Sequence, residues 1–373
     1  MYGLTGRYGM ITHMEERAQT VTSAVKSKRV MDTSIESLRG LAVLLMVAGH
    51  IIGSSTDAGM HAPEGSVWWY FYVLLQDIRM PLFTVLSGFI YAQRPIRSRT
   101  DYPGMIRGKT VRLIFPLITV GALLFAMQYF TPSANSKREL SEFWKTYAFG
   151  YQHLWFLQSI FLIFLAVGVL DFLGALSSRR GYFAALGVTF ALFVAVRVSE
   201  AWNIFSVNGA VRLLPFFLIG YGLKRYSIFD VRGRVTGVVV AVFAVVYALR
   251  LTEILNWWEP HPAVLRAMSL AVGVAAVVLI YSVRALFTNR PLSWIGGFSF
   301  VIFLLHVIGA ALSTRIAAKL GIDSDTLVFL IGVTLAIALP IVAYVVFARF
   351  WPIRTYIFGE KRKLSASPPV VGR

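Results

Sequence analysis

The chain has no cysteine, which excludes disulfides, thiolate metal sites and a cysteinyl acyl-enzyme. It is also short of charge: 14% of its 373 residues are Asp, Glu, Lys or Arg, against about 25% in a soluble domain. Acidic residues are scarcest, 18 against 36 Lys and Arg, giving a formal net charge of +18. Hydrophobic residues make up 57% of the chain, and the mean hydropathy is +0.67. Ten membrane-crossing segments of about 20 residues each would account for most of that apolar content. These figures exclude a soluble multi-domain enzyme and a disordered or fibrous chain. They define an all-α fold, a polytopic transmembrane bundle of about ten helices.

Apolar runs bounded by charge, Gly or Pro place the spans near 35–54, 68–92, 113–130, 154–172, 182–198, 209–223, 235–251, 264–283, 296–317 and 327–348. Residues 1–33 then form a polar N-terminal tail, 34–348 the ten-helix domain, and 349–373 a C-terminal tail. The leader has no apolar h-region, so the first span is expected to serve as an uncleaved targeting signal. In the second span, Pro81 cannot donate to the carbonyl of Asp77, which predicts a mid-span interruption. Lys and Arg concentrate in the even-numbered connections: Arg94, Arg97, Arg99, Arg107, Lys109 and Arg112, then Arg179 and Arg180, Lys224 and Arg225, and Arg284 and Arg290. The connection 131–153, with Lys137, Arg138 and Lys145, is the clearest exception. The positive-inside rule accordingly puts both termini in the cytoplasm. The excess positive charge is topological, and nucleic acid is not an expected partner.

Ionisable side chains inside a span are costly and mark sites. The first span carries Arg39 and His50, eleven residues apart. Eleven helical steps of 100° leave them within about 20° of one face and roughly 16 Å apart along the axis. They cannot touch, but they can line one channel: Arg39 to meet an anionic or carbonyl-bearing ligand, His50 as a base for a hydroxyl. The competing reading has Arg39 snorkelling beside Glu36 and His50 bonded to a neighbouring helix. Arg79 lies mid-span in the second helix and calls for a cavity at that depth; Asp77, two residues away, points elsewhere on a regular helix. Ser87-Gly88 suits close packing better than nucleophilic attack, since no Gly-x-Ser-x-Gly elbow is present.

The densest basic cluster, Arg94 to Arg112, fits either topology and anionic lipid or a phosphate site. Lys109 and Arg112 share a face if the third helix starts early. His153 opens the fourth span among interfacial aromatics. His306 lies in the ninth, with Ser299 and Ser313 a heptad either side, as a packing stripe or a cavity residue. His261, between prolines, reads as solvated. Histidines this dispersed, without H-E-x-x-H, argue against a metal centre.

Arg39-x10-His50 followed by Arg79-Met-Pro-Leu-Phe and Leu86-Ser-Gly-Phe89 resembles the acyltransferase-3 family of bacterial integral-membrane acyltransferases. The likeness continues through Arg107 to Pro116, His153-Leu-Trp-Phe156, Leu214 to Gly220 and Phe298 to His306, in order over about residues 34–348. The resemblance implies a ten-helix enzyme of the bacterial cytoplasmic membrane. Its activity would be transfer of an acyl group, usually acetyl, from acetyl-CoA to a hydroxyl of a surface glycan, lipopolysaccharide, exopolysaccharide or glycolipid. It also implies His50 as the catalytic histidine, Arg39 as its charged partner, and Arg107, Lys109 and Arg112 as the residues that meet the CoA phosphates. The family's cytoplasmic arginine pair is here either Lys109 with Arg112 or Arg107 with Arg112. Acyl-CoA would act as co-substrate, with no bound cofactor. Some members carry a fused extracytoplasmic domain; this chain would act without one or with a separate partner. His50 would deprotonate the acceptor or carry the acyl group, with Arg39 or Arg79 stabilising the oxyanion. A transporter or flippase is the rival class, disfavoured because no second copy of the first two spans is visible.

Overall fold

The computed structural model describes residues 33–53, 59–60, 62–130, 139–228 and 234–361. Most of the two tails therefore lies outside the described residues, as do Asn135, Lys137 and Arg138. Among the described residues there is no strand. Ten long helices follow in order: α1 Thr33–Ile52, α2 Val67–Tyr91, α3 Asp101–Phe130, α4 Trp155–Phe172, α5 Arg179–Ala195, α6 Val207–Arg225, α7 Arg234–Ile254, α8 Pro262–Ser282, α9 Ser299–Leu320 and α10 Asp325–Phe347. Nine of them are long and apolar enough to cross a membrane. The tenth, α5, is 17 residues long, because Val196 leaves helical geometry two residues before the expected end.

α2 is helical from Val67 to Tyr91 with Pro81 inside it, and the carbonyl that Pro81 leaves without a helical donor, that of Asp77, lies against Gly273 of α8. α3 starts at Asp101, about a dozen residues before its apolar run, and is wound as a π-helix over Thr110–Ile114. Such turns are rare and recur at functional sites.

The helices at the centre close up through small residues. α2 and α6 cross where Gly88 meets Phe217 and Gly220 meets Val85; a Cβ on either glycine would collide with the facing carbonyl. In lipid, where association relies on close packing, such contacts replace the hydrophobic drive of water. Val47, Leu82, Leu157, Phe217 and Leu304 are buried at this centre. The outer helices show the opposite pattern: α7 leaves Val238, Val242, Val245 and Leu249 exposed, and α10 leaves Val342, Val345 and Phe347 exposed. In water such faces would be a liability, whereas against acyl chains they are the ordinary surface.

Two half-buried carboxylates tie helices together. Asp77 accepts from Arg250 Nε of α7 at 3.0 Å and from Ser269 Oγ of α8 at 2.5 Å, and Arg250 also pairs with Glu253. Asp171 of α4 accepts from Tyr91 at 2.7 Å and Tyr221 at 2.9 Å. His261 is exposed and caps α8, its Nδ1 accepting from the backbone N–H of Ala263.

Candidate active site

Two cavities enter the bundle from opposite ends. The first, about 580 Å³, is bordered by the end of α1 and the segment before α6; its lining includes Gly49, His50, Gly53, Tyr72, Arg79, His153, Glu200, Asn203 and Arg212. The second, about 660 Å³, lies among the starts of α1, α4 and α9, the end of α2 and the middle of α3; it is lined by Glu36, Arg39, Ser87, Lys109, Arg112, Lys224 and Ser299 among others.

His50 borders the first cavity, in the last turn of α1. Its Nδ1 lies 2.9 Å from the carbonyl of Met46. A carbonyl can only accept, so Nδ1 carries the proton and Nε2 presents a bare lone pair. That tautomer suits a base or a nucleophile. Arg79 is buried beside it, its guanidinium 4.4 Å from the centre of the Tyr72 ring. No carboxylate is within ion-pairing distance of Arg79 among the described residues; Asp77 is committed to Arg250 and Ser269. Arg79 lies directly across α1, and a Cβ on Gly49 would collide with its Nη1. Residue 49 thus admits a guanidinium next to the catalytic candidate.

His153 and His306 join His50. Ring centroids are 4.8 Å apart for His50–His306 and His153–His306, and 6.3 Å apart for His50–His153. His306 donates from Nδ1 to the carbonyl of Phe303 at 2.9 Å, and His153 from Nε2 to that of Leu304 at 3.2 Å. The remaining nitrogens, His306 Nε2 and His153 Nδ1, are buried without a hydrogen-bond partner. Leaving such groups unpaired is costly, typically about 1–3 kcal/mol each, and calls for a functional account. Among the described residues no group of three or more His, Asp or Glu is placed to hold a metal ion.

The second cavity is basic. Arg39, Lys109, Arg112 and Lys224 face it, with Glu36 as their one carboxylate counterpart in the lining. Arg39 holds Glu36 through Nη1 at 2.8 Å and Ser299 through Nη2 at 2.9 Å. Lys109 Nζ sits 3.4 Å above the Phe164 ring. Arg112 lies 3.8 Å over Phe300 and donates from Nη1 to the Phe358 carbonyl at 3.2 Å. Arg39 is thus paired with a carboxylate, whereas Lys109 and Arg112 are steadied by rings and a carbonyl, which leaves the charge of these two for an anionic ligand.

Most of the expected residues meet at these two cavities, but in two groups. Arg39 and His50 do share a face, yet they end in different cavities, so Arg79 and not Arg39 is the cation at His50. Lys109 and Arg112 line the basic cavity because α3 does start early; Arg107 is exposed outside it. Ser87 lines the basic cavity and donates to the carbonyl of Phe83 at 3.1 Å, a packing role. Tyr72 and Arg212 are not marked by the sequence, and Lys224 reads there only as topological charge. Tyr72 was nonetheless findable: it precedes Arg79 by seven residues, within about 20° of the same helical face.

A helical bundle long and apolar enough to span a membrane, with a histidine–arginine cavity at one end and a basic cavity at the other, has the equipment of a group-transfer enzyme. The family model described as an acyltransferase domain (Acyl_transf_3) matches residues 32–345, and the chain belongs to that acyltransferase family. Comparison with curated proteins and with solved structures gives no match.

Proposed function

We propose that the protein moves a short acyl group, acetyl by resemblance, from cytosolic acyl-CoA to a hydroxyl of a surface glycan or glycolipid in the bacterial cytoplasmic membrane. The observation that carries this reading is the pairing of His50, with its bare Nε2, and a carboxylate-free Arg79 in one cavity, aligned along α1 with a four-cation cavity at the other end.

The basic cavity suits the phosphates of CoA, with Arg39, Lys109, Arg112 and Lys224 as ligands. Arg39 and His50 are separated by roughly 16 Å of helix, about the reach of a pantetheine arm. The acceptor hydroxyl occupies the His50 cavity. His50 Nε2 removes its proton as the oxygen bonds to the thioester carbon. Arg79 stabilises the oxyanion, the C–S bond breaks, and the proton passes from His50 to the departing thiolate. In the two-step variant Nε2 itself takes the acyl group and then yields it to the hydroxyl.

Purified wild type and His50→Ala, given labelled acetyl-CoA and a glycan acceptor in detergent, test the reading. Loss of a general base costs about 10²–10⁴-fold, so His50→Ala should show no detectable transfer at normal expression. Near-normal turnover by the variant removes the base assignment. Passage of a glycan by wild type without covalent transfer favours a flippase.

A further inference from the structure

The two cavities approach each other inside the bundle and have one lining residue in common, Phe303 of α9. Phe83 of α2 and Phe156 of α4 line the basic cavity at the same level. Their ring centroids are 5.7 Å apart for Phe83–Phe156, 5.5 Å for Phe156–Phe303 and 6.2 Å for Phe83–Phe303. On its other side the Phe303 ring is 5.2 Å from that of His153. The helices change cavities at this level too. On α2, Met80 and Pro81 border the His50 cavity and Leu86 and Ser87 the basic one; on α1, Met46 and Arg39 divide likewise. Protein interiors leave few voids, so a buried ring shared by the linings of two cavities is not ordinary core packing.

We propose that Phe303, closed on Phe83 and Phe156, is a specificity-determining gate that keeps the donor thioester apart from water in the His50 cavity until the donor arm displaces it. This rests on the reading above, with the donor in the basic cavity and the acceptor at His50. The same His50 and Arg79 would serve water as readily as a sugar hydroxyl. In that competing reaction the C–S bond breaks, the water oxygen bonds to the acyl carbon, and the water proton reaches the thiolate, giving a carboxylic acid and CoA. Nothing in the catalytic groups discriminates between the two nucleophiles, so discrimination falls to access. An apolar constriction between wet cavities also keeps the bundle from becoming a pore.

The absence of native cysteine makes the gate measurable. Gln76→Cys places a thiol in the His50 cavity and Ser87→Cys one in the basic cavity. In intact cells, a membrane-impermeant methanethiosulfonate ethyltrimethylammonium reagent should modify Gln76→Cys and leave Ser87→Cys unmodified. Adding Phe303→Ala should raise the labelling rate of Ser87→Cys about tenfold or more, and Phe303→Trp should not. Persisting reactivity of Gln76→Cys reports that the fold survives; if Phe303→Ala loses it, Phe303→Leu and Phe83→Ala are read the same way. Ser87→Cys that is labelled from outside with Phe303 intact, or is unaffected by its removal, overturns the gate. In purified protein Phe303→Ala should also raise acetyl-CoA hydrolysis relative to transfer about tenfold. If the acyl-CoA reading is wrong, wild type shows neither reaction while the labelling pattern stands, so the two failures are distinct.

Discussion

Arg79 reaches His50 across the one position of α1 where a side chain would be in its way, residue 49, and there the chain has glycine. The consequence is testable with a single methyl group. Gly49→Ala should push the guanidinium aside and lower kcat without touching donor affinity, because the basic cavity lies three turns away. Loss of one oxyanion donor costs about 10²–10³-fold, and Arg79→Lys, which keeps charge but loses the planar fork, should fall part of the way. Equal kcat in Gly49→Ala and wild type would remove Arg79 from the oxyanion role. The shared face of Arg39 and His50 was legible from spacing alone. The meeting of His50 with His153 and His306 was not, since these residues are over a hundred positions apart and no periodicity encodes which helices become neighbours.

At the scale of helices, sequence and structure agree where hydropathy governs and part where polar groups are satisfied by neighbours. All ten long helices were legible, nine of them long and apolar enough to cross a membrane, because each apolar run is bounded by charge or by Gly and Pro. The first turns of α3 were not, because Asp101, Arg107 and Lys109 dilute the hydropathy of a segment that is nevertheless helical. Asp77 shows the same limit: nothing within α2 announces that its partner is Arg250 on α7. That pair allows an asymmetric prediction. Removing one member of a buried ion pair costs about 3–5 kcal/mol when the other is left uncompensated. Arg250→Leu strands two carboxylates, Asp77 and Glu253, whereas Asp77→Leu leaves Arg250 still paired with Glu253. Arg250→Leu should therefore lower the melting temperature in detergent more than Asp77→Leu, and the double variant should recover part of the loss. Equal effects of the two single variants would show that Glu253 does not compensate Arg250, and no recovery in the double variant would show that the pair contributes little to holding α7 against α2.

For the whole molecule, the proposed donor site and the proposed orientation both rest on the division of charge between the two ends. The cavity at the basic end collects Arg39, Lys109, Arg112 and Lys224 from three helices, while Arg107 is exposed outside it. If that cavity binds CoA phosphates, Arg112→Glu should raise the apparent KM for acetyl-CoA about tenfold or more, through a lost charge-assisted contact and a new repulsion. Arg107→Glu should raise it far less. A dephospho-CoA thioester should then lose its disadvantage in Arg112→Glu. The same end holds Gln93 at the close of α2 and Lys224 at the close of α6, and Lys361 packs against Gly108 there. The other end holds Gly53, after α1, and Glu200 and Asn203, after α5. The first and fifth connections thus lie at one end and the second and sixth at the other; that the basic end faces the cytoplasm is the expectation of the positive-inside rule. A reporter fused at Gly181, in the first turn of α5 just after the fourth connection, should signal from the cytoplasm. One fused at Trp257, between α7 and α8, should signal from outside. The same side for both would break the parity, and with it the placing of CoA in the basic cavity, since that donor is available only in the cytosol.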